Sequence, residues 1–237
     1  LATLMCQMTS FLMSILFFVK FSSQKFEFKN IKLNEIKDIL TLGVNALLQS
    51  AGLSIIIFII NKILASVYDY TYITSFSYVS KMAQIAIVPL NAVTTALSPI
   101  ISFNYSSSKY KRVKISVLYS LIYSYICSVI EMTVLFIFSK KLAMIFTSNQ
   151  TIINQCNDII NILLISLLFV PAVLIISTYF QAIKNKKYAF LITAFLLITI
   201  SAFLFILKSN CIWFAIPISC FITFLLSIYL YKKRLPN

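Results

Sequence analysis

Long, almost uninterrupted apolar segments recur along the chain, and each is long enough to cross a lipid bilayer. A membrane-spanning helix needs about 20 apolar residues, and about seven segments reach that length. They lie at roughly 1–20, 43–66, 72–101, 115–138, 156–183, 188–207 and 211–231. Because 60% of the residues are hydrophobic and only 11% are charged, a polar coat facing water cannot be built. The sequence predicts an all-α integral membrane protein, a polytopic helical bundle whose main partner is the lipid bilayer.

Lysine and arginine residues concentrate in every second connection between these segments. Most of the 20 basic residues fall in the connections at 20–42, 102–114 and 184–187 and in the tail at 232–237. Cations of membrane proteins accumulate in cytoplasmic loops. The pattern therefore predicts a multi-pass protein of the cell (plasma) membrane with its C-terminus in the cytoplasm. A nucleic-acid surface would not alternate in step with segment ends, so we expect no nucleic-acid partner despite the net charge of +14.

The connection between the first two segments contains a short amphipathic pattern. Leu33, Ile36, Ile39 and Leu40 fall on one helical face, with charged residues around the other. This pattern predicts a short helix on the membrane surface; the alternative is an ordinary solvated linker helix. The predicted organisation is a first hydrophobic helix at 1–22, a cytoplasmic linker with the surface helix at 23–42, a six-helix lobe at 43–231 and a cytoplasmic tail at 232–237.

The residue types present exclude most catalytic and metal chemistry. The chain has no histidine, which removes histidine metal sites, Ser-His triads and histidine proton relays. Its five cysteines form no C-x-x-C pair, and we expect them to be small packing residues and not ligands of zinc or partners in disulfides. The protein is therefore predicted not to be an enzyme, and no metal site or organic cofactor is expected.

Two charged side chains fall deep inside predicted spans. A charge at the centre of a bilayer costs about 2.5 kcal/mol or more, and such groups usually pair or serve function. Lys81 and Glu131 lie roughly 13 Å and 10 Å from the ends of sequential segments at 1.5 Å per residue. The sequence predicts a Lys81–Glu131 ion pair facing the bundle interior. Either the pair only lowers the cost of inserting both charges, or Glu131 binds a coupling H⁺ or Na⁺ that substrate displaces.

Prolines and amides inside the spans supply further candidates. Pro89, Pro171 and Pro217 each free a backbone carbonyl and are predicted to bend their helices, as simple kinks or as hinges. Side-chain amides are candidates for lining a polar cavity, or for hydrogen bonds between helices. These amides are Gln49, Asn61, Gln84, Asn91 and Gln181.

Other polar residues near span ends are predicted to be structural. We expect the Lys62 side chain to extend to the membrane interface. Asp158 is expected at a helix start, where the helix dipole favours an acid. Aromatic residues at the predicted outer boundary are expected to anchor the helices in the interface. They are Tyr68, Tyr70, Tyr72, Tyr78 and Trp213.

Several fragments, in order along the chain, resemble one transporter family. They are "LGVNALLQSAGLSIIIFIINKIL" (42–64), "SYVSKMAQIAIVPLNAVTTALSPIISFNYSSSKYKRVK" (77–114), "FQAIKNKKYA" (180–189) and "CIWFAIPIS" (211–219). Together with the opening "ATLMCQ", they resemble the C-terminal half, helices six to twelve, of multidrug and toxic compound extrusion (MATE) transporters of the bacterial drug-exporter branch.

The resemblance implies twelve helices in two six-helix lobes, with the first segment here as the last helix of the N-terminal lobe. It also implies export of organic cations or drugs in exchange for Na⁺ or H⁺, through a cavity between lobes that alternates its access. The N-terminal lobe would then be a missing partner. The chain begins inside a hydrophobic segment, so we expect it to be part of a longer protein. By the family's internal symmetry, Asn61 takes the place of an aspartate usual in the first helix of the other lobe.

The chain departs from the family pattern mainly at glycines. Ser106, Lys184 and Cys211 stand where family members usually carry glycine. Three hypotheses for function remain: a drug antiporter, a flippase for lipid-linked oligosaccharide from the same superfamily, and a non-functional truncated transporter fragment. A flippase is expected to line its cavity with several cations for pyrophosphate, whereas the spans offer only Lys62 and Lys81.

Overall fold

The computed structural model describes the backbone of residues 2–21, 33–207 and 211–233, and the regular structure in these ranges is entirely helical. The helices are α1 (Ala2–Phe21), α2 (Leu33–Val67), α3 (Tyr70–Ala86), α4 (Val88–Ser106), α5 (Tyr110–Phe146), α6 (Gln150–Leu163), α7 (Val170–Ala182), α8 (Lys186–Ile206) and α9 (Ala215–Lys233). Two 3₁₀ segments, Leu164–Leu168 and Ile212–Phe214, precede α7 and α9. The predicted all-α fold class is confirmed for this part of the chain.

The chain divides into two compact units, Leu1–Leu40 and Thr41–Asn237. In the first unit, the Thr9 hydroxyl of α1 donates to the carbonyl of Met5. This bond satisfies the hydroxyl inside its own helix, as a lipid surrounding requires. The predicted linker residues 23–32 lie outside the described part. The backbone of the predicted surface helix is the start of the continuous helix α2, and the side chains of its apolar pattern before Leu40 also lie outside the described part.

Six described helical segments are long and apolar enough to cross a membrane. They are Thr3–Phe21, Tyr70–Ser106, Tyr110–Phe146, Gln150–Leu168, Lys186–Ile206 and Ile212–Lys233, with the shorter apolar helices Ser54–Val67 and Val170–Ala182. The prediction of a multi-pass membrane protein is confirmed. Helix α5 is longer than the predicted span 115–138. The basic residues before that span and the residues after it are helical as well.

Two of the predicted spans are broken into two helices near a proline. Pro89 lies in the first turn of α4, just after the break at Ile87. Pro171 lies in the first turn of α7, after the 3₁₀ segment Leu164–Leu168. Proline favours a first turn because it has no N–H to donate to the preceding turn. Pro217 also lies near the start of its helix, α9, within the span Ile212–Lys233.

Two apolar clusters form the core of the second unit. The Trp213 cluster includes Ile60, Phe76, Leu135, Ile159 and Trp213. The Tyr179 cluster includes Ile101, Val117, Ile176, Tyr179 and Leu230. The Trp213 ring is 7% exposed and packs 5.7 Å from the ring of Phe76. Trp213 is therefore a core residue, and its prediction as an interface anchor was wrong.

Two of the predicted interface tyrosines form a pair where α2 meets α3. The rings of Tyr68 and Tyr72 lie 4.8 Å apart. Tyr68 belongs to the short turn between the helices, and burial raises the pKa of its phenol, with smaller contributions from Tyr72 and Cys211. The pair packs against the Trp213 cluster, so these side chains join the core to the end of the bundle.

The basic connections lie at one end of the second unit. Ser102, near the end of α4, donates to the carbonyl of Ala182 at the end of α7, 3.1 Å away. The rings of Tyr179 in α7 and Tyr231 in α9 are 5.1 Å apart. The turn after α4, the turn after α7 and the end of α9 therefore share one end of the bundle. This arrangement agrees with the alternation of charge along the sequence.

The two basic turns have the same backbone geometry. After α4, the N–H groups of Ser108 and Lys109 donate to the carbonyls of Tyr105 and Asn104. After α7, the N–H groups of Lys184 and Asn185 donate in the same way to Gln181 and Phe180. This Schellman motif places one residue at positive φ, where glycine is usual. Here Ser108 and Lys184 occupy it, at φ 56° and 58°.

Lys184 is thus a position where the resemblance implied glycine and the backbone favours glycine. Ser106, the other such position near the basic end, is the last residue of α4, so the left-handed position after α4 is Ser108 instead. A side chain at positive φ costs about 1–2 kcal/mol.

We expect Ser108→Gly to be more stable than Ser107→Gly by about 1–2 kcal/mol. Both changes loosen the unfolded chain equally, but only Ser108 has a left-handed backbone, since Ser107 has φ −88°. Thermal denaturation of the two variants in the same detergent measures the difference. Equal melting temperatures would contradict the assignment of strain to Ser108.

Gly52 allows a close approach between α2 and α8. A Cβ atom at this position would collide with the side chain of Leu197, whereas a Cβ at Gly43 meets nothing within 4 Å. Small residues serve this purpose in membrane helices. We expect Gly52→Val to destabilise the protein by about 1–3 kcal/mol through overpacking, and Leu197→Ala to restore part of that loss in the double variant. Gly43→Val is the control, and an equal loss there would show that the close approach is not the cause.

Candidate functional site

The helix break between α6 and α7 opens a polar region near the middle of the second unit. Pro171 has no N–H, so it cannot donate to the carbonyl of Leu167 four residues earlier. Just after the 3₁₀ segment, the Phe169 N–H donates to the carbonyl of Ser166, 2.9 Å away. A broken helix inside a membrane protein presents free backbone groups that need partners from neighbouring side chains.

Glu131 lies at the level of this break. The hydroxyl of Ser139 in α5 donates to the side chain of Asn157 in α6 at 2.6 Å. Glu131 lies about two turns (~8 residues) before Ser139, and the 3₁₀ segment Leu164–Leu168 lies about two turns after Asn157. Because α5 and α6 are antiparallel, Glu131 and this segment lie at the same level. Helix α5 packs directly on that segment. Glu131 is about 22 Å from the end of α5 at Phe146, deeper than predicted because the helix is longer.

Neither carboxyl oxygen of Glu131 has a hydrogen-bond partner among the described residues, although both are buried. Two serines lie on the same face of α5 as Glu131, in the two turns that precede it. Ser124 and Ser128 are 0% and 3% exposed, and their hydroxyls also lack a partner in the described structure. Ser124 lies four residues before Ser128, and Ser128 lies three residues before Glu131, so all three share one helical stripe.

Helix α9, which packs on the 3₁₀ segment Leu164–Leu168, carries two more hydroxyls that lack a partner among the described residues. The Phe169 ring lies 5.2 Å from that of Phe221, so this part of α9 is level with the start of α7. Ser219 and Thr223, two residues either side of Phe221, are both 0% exposed and lack a partner among the described residues. The buried hydroxyl of Thr193, by contrast, donates to the carbonyl of Ala189 in its own helix.

These five side chains form what we call the polar layer: Ser124, Ser128, Glu131, Ser219 and Thr223. On each helix they fall between residues of the Trp213 cluster and residues of the Tyr179 cluster. Buried polar groups in proteins are almost always hydrogen-bonded. Hydroxyl and carboxyl oxygens are suitable ligands for a proton, a water molecule or a hard cation. The layer therefore offers a set of oxygen ligands whose hydrogen-bonding capacity the described residues leave unused.

The predicted Lys81–Glu131 ion pair is not formed. Lys81 is exposed, and no described residue donates to Glu131. The rotation of α3 explains the difference, because Val79 and Met82 occupy its buried face. Lys81 lies about 200° around the helix from Val79 and therefore points away from the core.

The predicted amides do not gather around the break. Gln84 and Asn91 are exposed. The Gln181 side chain donates to Ser177 of its own helix at 3.5 Å. Asn61 is half-buried and its side-chain oxygen has no partner in the described part of the chain, while the side chain of Gln49 lies outside that part. Their role as cavity-lining groups stays a prediction.

The remaining candidates have structural positions. Asp158 is exposed and lies well inside α6, so its prediction as a helix-start residue was wrong. The N-cap of that helix is Asn149, whose side chain accepts from the Thr151 N–H at 3.0 Å. Lys62 is exposed in α2, where it was expected. The five cysteines are free thiols, of which Cys156 and Cys220 are buried.

Sequence reasoning identified Glu131 because an acid within a span is rare. It missed the four hydroxyl residues of the polar layer, since serine and threonine are common in membrane helices and usually bond to their own backbone. Their spacing on α5 was available as a signal. The sequence does not show that α9 also buries two hydroxyls without a partner among the described residues.

Comparison with known proteins identifies the fold and the family. A sequence model of the MatE family matches residues 44–207. The comparison with curated proteins gives no match. Among solved structures, the chain is similar to the outward-facing conformation of a multidrug resistance MATE family transporter of the MOP superfamily. That match has 18% identity and a TM-score of 0.85, and it covers 94% of this chain and 52% of that chain.

Two further structures give the same result. A MOP superfamily transporter from Pyrococcus furiosus matches with 18% identity and a TM-score of 0.84, covering 94% of this chain and 53% of that one. A MATE transporter in a straight conformation matches with 17% identity and a TM-score of 0.86, covering 96% and 54%. The chain spans about half the length of these structures. At such identities they establish the fold, and the family follows from the sequence model: the chain belongs to the MatE family of membrane transporters.

Proposed function

We propose that this chain is one lobe of a MATE-type exporter that moves organic cations or drugs out of the cell in exchange for Na⁺ or H⁺. Family membership supports transport of small molecules. The observation that carries the coupling part of the proposal is Glu131, the acid of the polar layer, whose two carboxyl oxygens are buried without a partner among the described residues at the level of a broken helix. Secondary transporters recurrently place coupling-ion sites at broken helices near the middle of the bilayer.

In this proposal the coupling ion supplies the partner that the polar layer lacks. A proton neutralises the Glu131 carboxylate, and a Na⁺ ion bridges it to the hydroxyls of Ser128 and its neighbours. Either ion favours close packing of α5 and α9 around the start of α7, and its release favours a looser arrangement. Two arrangements with different affinity for the ion are what coupling requires.

Alternating access requires a second lobe against which this one moves. The solved MATE structures are about twice as long as the part that this chain matches. We therefore expect the N-terminal half of the protein to supply the second lobe, with the substrate cavity between the two halves. The basic connections of the second unit lie together at one end of the bundle. This supports an orientation in which that end, with the C-terminus, faces the cytoplasm. The plasma membrane is the expected location.

The Glu131→Gln variant of the full-length protein tests the coupling role. We expect ion-driven export of an organic cation to fall by about tenfold or more, within the range of ordinary coupling free energies. The amide keeps the size of the side chain but can neither release a proton nor neutralise Na⁺. The measurement is efflux of ethidium from proteoliposomes under an imposed Na⁺ or H⁺ gradient.

Asp158→Asn is the matched control, because Asp158 is an exposed acid in α6 away from the polar layer. Export by this variant should equal that of the unchanged protein. Unchanged coupled export by Glu131→Gln would refute the role of Glu131. Translocation of a lipid-linked oligosaccharide without export of organic cations would favour the flippase alternative, and absence of both activities would favour a non-functional fragment.

Thr223→Val tests whether the polar layer is kept for function. Valine has nearly the same shape as threonine, and it removes a buried hydroxyl that lacks a partner among the described residues. We expect the variant to be more stable by about 1–3 kcal/mol and less active in ethidium export.

Ser75→Ala is the contrasting change, since the Ser75 hydroxyl donates to Gln155 at 2.7 Å. We expect it to lose about 0.5–1.5 kcal/mol of stability with export retained. Unfolding of both variants in denaturant and the ethidium assay provide the measurements. A Thr223→Val variant that is less stable and fully active would show that the layer has a structural role only.

A further inference from the structure

The turn between α4 and α5 carries an unusually dense group of cations. Lys109, Lys111, Arg112 and Lys114 follow one another within a few residues, and all four are exposed. Helix α5 has 37 residues, so it is about 55 Å long. The hydrocarbon core of a bilayer is about 30 Å thick. The first turn of α5 therefore extends to the level of the lipid headgroups when the helix crosses the membrane.

These cations lie where the helix itself already disfavours positive charge. The N-terminus of a helix carries a partial positive charge and favours anions. The first turn of α5 contains no acid, and its N-cap residue, Lys109, makes no side-chain capping bond. The acidic side chains that the structure describes lie elsewhere: Asp69 before α3, Glu131 in mid-helix and Asp158 in α6. No described acid of the chain therefore balances this group, and its charge is open to an external anion.

The same residues line a groove. Its volume is about 540 Å³, and it is bounded by Ser108, Lys109, Tyr110, Lys111, Arg112 and Lys114. The groove is open to the surroundings and is bounded by the turn and the first residues of α5 alone. The Schellman turn fixes the shape of the groove, because it holds Ser108 at φ 56°. The ring of Tyr110 is held at its side by Tyr105 of α4, 5.6 Å away.

An exposed apolar stripe continues from the groove along α5. Ile115, Leu118 and Ile122 follow Lys111 at helical spacing and lie on the same face. They are 51%, 57% and 46% exposed. On the opposite face, Val113 and Val117 are each 1% exposed and belong to the Tyr179 cluster. The cations thus lie directly above apolar surface, an arrangement that suits an amphipathic ligand better than a free anion.

We propose that this groove binds the phosphate headgroup of an anionic phospholipid, with the acyl chains lying along the Ile115–Ile122 stripe of α5. Lys111 and Arg112 contact the phosphate, and the partial positive charge at the N-terminus of α5 favours its negative charge. Basic pockets next to membrane helices bind anionic headgroups in this way. The interaction does not depend on the transported substrate or on the coupling ion.

The test is a lipid titration of the purified full-length protein by native mass spectrometry, with phosphatidylglycerol and phosphatidylcholine as probes. We expect a clear preference for phosphatidylglycerol. Lys111→Gln/Arg112→Gln should weaken its binding by about 30-fold, at about fivefold for each cation near the surface. The matched control is Lys140→Gln/Lys141→Gln at the other end of α5, which should bind as the unchanged protein does. If the double variant does not fold, Lys111→Gln and Lys114→Gln alone should each weaken binding by about fivefold.

A second arm distinguishes a lipid from a soluble anion. Leu118→Asn keeps every cation and disrupts the apolar stripe, so it should weaken phosphatidylglycerol binding, and excess inorganic phosphate should not displace the lipid. Equal binding of the two lipids, or unchanged binding by the Gln variants, would overturn the proposal. Full displacement by inorganic phosphate together with normal binding by Leu118→Asn would also overturn it, in favour of a soluble anion.

Discussion

The absence of water in the hydrocarbon core governs this structure. Each backbone N–H and carbonyl that faces lipid must be satisfied within its own segment, and a helix satisfies them all. The described chain is accordingly helical, and hydroxyls such as Thr9 bond back to their own helix. The same constraint makes the break before α7 informative, because irregular backbone at this depth survives only where protein surrounds it. Here α5 and α9 surround it.

The polar layer is unfavourable for stability, and that is the reason to associate it with function. Two well-packed apolar clusters lie on either side, and nothing in their packing calls for an acid or for unpartnered hydroxyls between them. A buried polar group without a partner costs about 1–3 kcal/mol. Proteins accept such costs mainly at functional sites, where a ligand completes the arrangement. A transporter also needs a lobe with two packings of similar free energy, and in the proposed function the incompletely bonded layer at the helix break allows them.

The basic end follows a different logic from the polar layer. Ser108 and Lys184 occupy left-handed positions that glycine would fill without strain, and both belong to lysine-rich turns. The serine and the lysine therefore keep the Schellman geometry at some cost. Lysine-rich turns of membrane proteins favour the cytoplasmic side, and this is the basis of the orientation that we propose. At the start of α5, where charge and exposed apolar surface meet, they also form a surface suited to lipid headgroups.

The sequence by itself determined the class of protein, the approximate spans and the presence of a rare acid, Glu131, within a span. The spans 188–207 and 211–231 agree closely with α8 and α9, because burial in lipid depends on composition, which sums over a segment. Tertiary structure alone decided which faces meet. It exposed Lys81 and buried the carboxyl oxygens of Glu131, although the sequence predicted similar depths for the two residues, because helix rotation is set by packing of residues such as Val79. It also left the hydroxyls of Ser128 in α5 and Thr223 in α9 buried without a partner among the described residues, a result of helix rotation that no local pattern of residues encodes.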